Sequence, residues 1–189
     1  HIIGGLCRIF SKIESPGVII HQGMTPAIVF GETDGTISER TLKIKMMFEA
    51  AGIESRISED IRADLWKKFI SINVGGLLAV TRTVYGELRE IKETRQMMIA
   101  LLKENYALSQ KIGVRIDPGY LDEAISAIDA FPPDLVSSLT RDIMDGRPSE
   151  LFYQNGSVVK LGEKYGVDTP VNRFVFSCLL PSELKARRK

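Results

Sequence analysis

The chain has 189 residues, of which 44% are apolar and 26% are charged, and its formal net charge is +1. Such a chain is long enough to bury a sizeable core, and it lacks the excess of positive charge that favours nucleic-acid binding. No run of about 18 apolar residues predicts a membrane span, and no segment has the pattern of a signal peptide. We therefore expect a cytoplasmic protein that binds neither nucleic acid nor membranes.

The cysteine and histidine content argues against metal sites and thiol chemistry. Cys7 and Cys178 lie at opposite ends of the chain, and neither has the spacing of a metal ligand. Only two histidines are present, and both are remote from any second ligand-like group. We expect two buried thiols, no zinc site and no nucleophile activated by histidine.

The chain changes character near residue 58. Before it, runs rich in Ile, Val and Phe predict strands with a turn over residues 22–26, and a possible capping box at Thr36–Glu39 predicts one helix. After it, apolar residues recur at helical spacing in about six segments that glycine and proline separate. We predict a mainly α fold: an all-α helical bundle over residues 58–189, preceded by residues 1–57, a remnant of an α/β domain whose other part we expect upstream.

Two neighbouring lysines could carry proton chemistry. Lys67 and Lys68 lie where the predicted helix from Asp60 changes from a charged first turn to an apolar interior. A lysine at the edge of a buried face can act as an acid, because loss of solvent makes an ammonium group a readier proton donor. A lysine that extends its amine into solvent explains the same spacing.

Two further groups of polar residues could bind a ligand. Asn73 and the pair Gly75-Gly76 place an amide and two glycines within the same apolar helix, which suits either a ligand or close helix packing. Glu150 falls at the predicted start of a helix near Ser149, where the helix dipole favours a carboxylate. Dipole compensation alone would explain Glu150, but the carboxylate could equally accept a hydrogen bond from a substrate hydroxyl while Ser138 supplies a neutral donor.

Taken together and in this order, these segments resemble ketopantoate reductases. The stretch WKKFISINVGGLLAVTR resembles the helix that carries the family's catalytic lysine, and SSLTRDIMDGRPSELFYQNG resembles its substrate-binding segment. The stretch GEKYGVDTPVNRFVFSCL resembles the family's last helices, and the part from PGVIIHQG to AAGI resembles the end of its amino-terminal domain. The resemblance covers nearly the whole chain, and its specificity rests on the combination.

The resemblance implies an activity and a set of site residues. It implies NADPH-dependent reduction of 2-dehydropantoate (ketopantoate) to pantoate, for coenzyme A biosynthesis, by a homodimer. It also implies a helical domain like the carboxy-terminal domain of 6-phosphogluconate dehydrogenase. Lys68 would protonate the carbonyl oxygen. Glu150 would bind the primary hydroxyl, Ser138 would help to hold the carboxylate, and Asn73 would be a further substrate-binding residue.

Two departures from the family pattern leave alternatives open. The family's asparagine one turn after the lysine falls on Ile72 here, so either Asn73 takes its place or Lys67 is the catalytic lysine. No G-x-G-x-x-G turn follows a strand, so we expect the residues that bind the cofactor's phosphates to lie upstream. The chain could also be a related 2-oxo acid reductase, or a helical dimerisation or ligand-binding module without catalysis.

Overall fold

A computed structural model describes residues 2–188, apart from the side chains of residues 22–24. These residues divide into two compact units, the first ending at Trp66 and the second beginning at Lys67. The division falls inside helix α2 (Ile61–Ile72) rather than at residue 58. The first turn of α2 belongs to the first unit because Ile61 packs with Leu6 and Val29 in a buried apolar cluster.

The first unit is a three-stranded sheet with a helix. Its elements are β1 (Gly4–Ser15), β2 (Val18–Gly31), α1 (Glu39–Ala50) and β3 (Glu54–Ile57). β1 pairs antiparallel with β2, and β2 pairs parallel with β3. The predicted turn over residues 22–26 is wrong, because β2 runs through it and the register shifts between Arg8 and Phe10 instead.

Helix α1 begins at a capping box formed by Ser38 and Thr41. The Ser38 hydroxyl accepts the Thr41 N–H, and the Ser38 N–H donates to the Thr41 hydroxyl at 3.0 Å. The box predicted from Thr36 to Glu39 is therefore wrong. The Thr36 hydroxyl instead donates to the Asp34 carboxylate at 2.8 Å.

The carboxylate of Glu32 supports this helix start and makes it sensitive to acid. The Arg40 guanidinium donates to it at 2.6 Å, and the Ser38 hydroxyl donates at 2.5 Å. These hydrogen bonds, that of Arg40 first, lower the pKa of Glu32 from 4.5 to about 2. The resulting stabilisation is complete above a pH of 4.5 and is lost as the pH falls towards about 2.

Glu32→Gln should therefore flatten the pH dependence of unfolding of the first unit between these two values. Urea denaturation at a series of pH values measures this, with Glu39→Gln as the control because Glu39 is exposed on α1. An unchanged pH dependence in Glu32→Gln would contradict the role of this carboxylate.

The second unit is a helical bundle, which confirms the prediction of a mainly α fold. After the second part of α2 come α3 (Val74–Thr81), α4 (Tyr85–Glu90), α5 (Lys92–Lys111), α6 (Tyr120–Asp129), α7 (Ser138–Met144), α8 (Asn155–Tyr165) and α9 (Pro170–Ala186). The described chain thus has eight helices after residue 58 rather than about six. The first predicted helix is interrupted at Asn73, and the short α4 precedes α5. None of the helices described is long and apolar enough to cross a membrane.

Helix α5 provides much of the core of this unit. Its predicted inward residues are all fully buried: Met98, Leu101, Leu102 and Leu108. The start of α9 at the Thr169-Pro170 pair is also confirmed. The predicted end near Leu180 is wrong, because α9 continues to Ala186 with Pro181 inside it.

The prediction that both cysteines are buried is wrong. Cys7 and Cys178 are both exposed. On β1, alternation places Leu6 inward and therefore Cys7 outward. On α9, Val175 and Leu179 face the core, so Cys178 lies on the outer face.

Candidate active site

The helix that carries Lys67 and Lys68 is interrupted at Asn73, between α2 and α3. The interruption is local, because the Asn73 backbone keeps helical angles of φ −63° and ψ −18°. Its side-chain amide donates to the Phe69 carbonyl one turn back at 2.5 Å, and its own carbonyl accepts the Gly76 N–H at 3.2 Å. The lysines therefore lie just before a defined helix break.

The starts of α7 and α8 both pack against this break. A Cβ atom at Gly75 would overlap the side chain of Ser137, the N-cap of α7, and one at Gly76 would overlap that of Asn155, the first residue of α8. The Thr140 hydroxyl donates to the Gly75 carbonyl at 2.9 Å. Close helix packing thus accounts for the glycine pair.

This packing brings the segments that contain Ser138 and Glu150 to the break and the start of α3, which follow the helix that carries the lysines. Ser138 is the first residue of α7 and is exposed. Glu150 is also exposed, and its carbonyl accepts the N–H groups of Tyr153 and Gln154 in a turn before α8. The predicted helix start near Ser149 is wrong. Because the dipole effect is confined to the first turn of a helix, compensation of the α8 dipole does not account for the Glu150 carboxylate.

A buried carboxylate that the sequence reasoning missed anchors the turn of Glu150. Glu183 of α9 is 1% exposed and accepts hydrogen bonds from the Ser149 N–H at 3.1 Å and the Ser149 hydroxyl at 2.6 Å. Arg187 donates to the same carboxylate at 2.6 Å. The residue before Glu150 is therefore held by a paired, buried charge.

Tyr120, the first residue of α6, distinguishes the two lysines. Its hydroxyl donates to the Lys67 carbonyl at 2.6 Å, and the Lys67 amine lies 5.3 Å from the centroid of its ring. Lys67 is thus engaged in a cation–π contact with α6. Lys68, at the next position, is exposed, so the loss of solvent expected of a proton-donating lysine is not seen there. The assignment of proton donation to Lys68 stays a prediction.

Comparisons with known proteins identify the family. The family model described as the carboxy-terminal domain of ketopantoate reductase PanE/ApbA matches residues 60–183. The chain belongs to the ketopantoate reductase family. The 2-dehydropantoate 2-reductase of Aquifex aeolicus is 30% identical over 92% of the chain and 58% of its own length. The chain thus spans less than two thirds of this relative.

Solved structures have the same fold as this ketopantoate reductase family member. A PanE/ApbA family ketopantoate reductase from Ralstonia eutropha superimposes with a TM-score of 0.85 at 25% identity, over 98% of this chain and 60% of the other. A D-mandelate dehydrogenase, solved with NADH and anilino(oxo)acetate, gives a TM-score of 0.84 at 20% identity, over 98% of this chain and 60% of its own. The second likeness shows the fold alone.

Asn73 is more deeply buried than expected for the contact with substrate that the sequence predicts. Its side chain is fully buried, and its Oδ1 atom has no hydrogen-bond donor among the described residues. Substrate binding by Asn73 therefore stays a prediction, which this burial disfavours.

Proposed function

We propose that this chain supplies the substrate side of an NADPH-dependent 2-dehydropantoate 2-reductase, which reduces ketopantoate to pantoate. The observation that carries the proposal is the convergence of three segments at one helix break: the helix of Lys68, the start of α7 with Ser138, and the turn of Glu150 leading into α8. Family membership supports oxidoreductase chemistry, and the name of the Aquifex relative supports ketopantoate as the substrate.

In this proposal each exposed polar group has one role. Reduction of the ketone adds a hydride to the carbonyl carbon and a proton to its oxygen, and Lys68 donates that proton where negative charge develops. Glu150 accepts a hydrogen bond from the primary hydroxyl of the substrate. Ser138 donates to the substrate carboxylate. Asn73, which is buried, supports the backbone beneath these groups.

NADPH would supply the hydride, but the residues of this chain do not fit its phosphates. The sequence contains no G-x-G-x-x-G turn, whose backbone N–H groups would bind the pyrophosphate. We therefore assign no residue of the chain to the cofactor, and we place its binding site in the part of the relatives that the chain does not span. In the same proposal, residues 1–57 are the end of the dinucleotide-binding domain. The helical bundle is then a domain like the carboxy-terminal domain of 6-phosphogluconate dehydrogenase.

We further propose that the complete enzyme is a cytoplasmic homodimer. A ketopantoate reductase from Staphylococcus aureus is described as dimeric, and it superimposes with a TM-score of 0.83 at 16% identity over 97% of this chain and 62% of its own. Sedimentation of the holoenzyme tests the dimer directly, and a monomer at micromolar concentration would contradict it.

Glu150 provides the test of substrate identity. The holoenzyme that contains this chain should prefer ketopantoate over 3,3-dimethyl-2-oxobutanoate, which differs from it only by the absence of the primary hydroxyl. Glu150→Ala should raise the KM for ketopantoate by about 10- to 100-fold, because a hydrogen bond to a charged group contributes roughly 1.5–3 kcal/mol. The same substitution should change the KM for the analogue little. The preference for ketopantoate over the analogue should therefore become smaller.

Glu163→Gln is the matched control, because Glu163 is an exposed acid on α8 that pairs with Arg173 instead. Equal use of both substrates by the wild type would redirect the assignment to a related 2-oxo acid. If no 2-oxo acid were turned over, the remaining interpretation would be that the chain is a helical dimerisation or ligand-binding module without catalysis.

A further inference from the structure

Beneath the helix break lies a set of hydrogen-bonded side chains, here called the amide network, that consists of Glu104 and Asn105 of α5, Asn155 of α8 and Asn172 of α9. Its three asparagines are fully buried. Polar groups at such depth are normally held by specific partners, and here the partners come from four different segments of the chain. The sequence signal was weak, since each asparagine is a single polar residue within an apolar helical stripe.

The carboxylate of Glu104 anchors the network. It accepts the Val171 N–H at 2.7 Å, the Asn172 N–H at 3.0 Å and the Asn172 side-chain amide at 2.7 Å. The backbone donors belong to the first turn of α9, where N–H groups have no partner within the helix and an anion is favoured. Asn172 is thereby held by two hydrogen bonds to a charge, and the Val171 N–H adds a third to the same carboxylate.

The chemistry of Glu104 sets the direction of every other bond in the network. An ionised carboxylate only accepts, so the Nδ2 group of Asn172 faces Glu104 and also donates to Asn105 Oδ1 at 3.0 Å. The Oδ1 atom of Asn172 then accepts from Asn155 Nδ2 at 3.0 Å. Asn105 and Asn155 are therefore both oriented with their Nδ2 groups free to donate further.

Both of these amides donate to backbone carbonyls at the helix break. Asn105 Nδ2 lies 3.1 Å from the Ile70 carbonyl, and Asn155 Nδ2 lies 3.1 Å from the Asn73 carbonyl. The break is thus tied on one side to α5 and on the other to α8. Two buried oxygens beside it, Asn73 Oδ1 and Asn155 Oδ1, have no donor among the described residues. An unsatisfied buried acceptor costs free energy, so apolar residues would stabilise the fold better at these two positions. The asparagines therefore need a reason other than packing.

We propose that Asn105 and Asn155 are positioning residues for Lys68. By holding the carbonyls of Ile70 and Asn73 they set where the helix breaks, and so the direction in which Lys68, two residues before Ile70, presents its amine. Neither asparagine touches substrate. This inference rests on the proposed function, in which the position of Lys68 determines the rate of proton transfer.

The test replaces each amide by leucine, which is similar in size and donates no hydrogen bond. Asn105→Leu and Asn155→Leu should lower kcat for ketopantoate by about 10- to 100-fold, because a misplacement of about 1 Å can cost 10²-fold. The KM should stay within about threefold of the wild-type value, since no ligand contact is lost. Asp129→Leu is the control: it removes both 2.7 Å hydrogen bonds that Arg95 donates to Asp129, which also join two helices but involve neither Ile70 nor Asn73.

A double-mutant cycle separates positioning from a structural role. On a Lys68→Ala background, Asn105→Leu should lower kcat no further, because the group that it positions is already absent. Independent, multiplicative losses, or full kcat in both leucine variants, would overturn the inference while leaving ketopantoate reduction intact. Absence of ketopantoate reduction by the wild type would remove the proposed function and this inference together. If a leucine variant does not fold, Asn105→Ser takes its place in the cycle, because it keeps a hydroxyl donor with a shorter reach.

Discussion

Replacement of Lys68 by alanine is expected to lower the turnover of ketopantoate by the holoenzyme by about 100-fold or more. A positioned proton donor contributes about 10²- to 10⁴-fold to a rate, and the proposal assigns protonation of the carbonyl oxygen to Lys68. The measurement is the decrease of NADPH absorbance at saturating ketopantoate. Cofactor binding should be retained, since no residue of this chain is assigned to it.

Lys67→Ala is the matched control for this experiment. The Lys67 amine lies over the ring of Tyr120, so its loss should affect packing against α6 rather than turnover. Lys68→Arg provides a second variant, because arginine keeps the positive charge but is a far weaker acid. Substrate binding that survives in Lys68→Arg without turnover would support proton donation. Full turnover in Lys68→Ala together with loss in Lys67→Ala would assign the role to Lys67.

A second large effect is expected from Gly76→Ala, which should destabilise the helical unit by about 3 kcal/mol, near the upper end of the usual cost of overpacking. The new methyl group would overlap Asn155 Oδ1 and lie 2.7 Å from Val175 Cγ1. It would also push Asn155 away from the Asn73 carbonyl. Thermal unfolding should show a Tm lower by roughly 6–12 °C.

Gly146→Ala is the control that separates the destabilisation caused by this overlap from the destabilisation caused by replacing a glycine in general. Gly146 has a φ of +65° and no atom within 4 Å of an added Cβ, so only backbone strain of about 1–2 kcal/mol is expected. If the two variants unfolded at the same temperature, the prediction that the close approach of α8 makes Gly76→Ala the more destabilising substitution would be wrong.

Much of the helical unit could be predicted because the signals lie close together along the chain. The spacing of Met98, Leu101, Leu102 and Leu108 predicts which side of α5 is buried, since residues three and four apart share a helix face. The Thr169-Pro170 pair predicts the start of α9, since proline is tolerated in the first turn of a helix. The order of these segments also predicted the family, which the comparison over residues 60–183 confirms.

The exact place of the helix break depended on residues far away in the sequence. The sequence predicts one helix that contains Asn73 and the glycine pair, but the structure interrupts it at Asn73. Asn105 and Asn155, which donate to the carbonyls on either side of it, are 35 and 82 residues from their partners. No local pattern encodes which side chain will meet a given carbonyl, because that depends on how four helices pack.

The sequence by itself determined the helical character of residues 58–189, the helix faces that form the core and the membership of the ketopantoate reductase family. Each of these follows from local spacing or from the order of motifs. Only the tertiary structure decided that Lys67 lies over Tyr120, that Glu150 occupies a turn anchored by Glu183, and that buried amides hold the helix beside Lys68. The physical reason is that hydrogen bonds and ring contacts act over a few ångströms between groups that only the folded chain brings together.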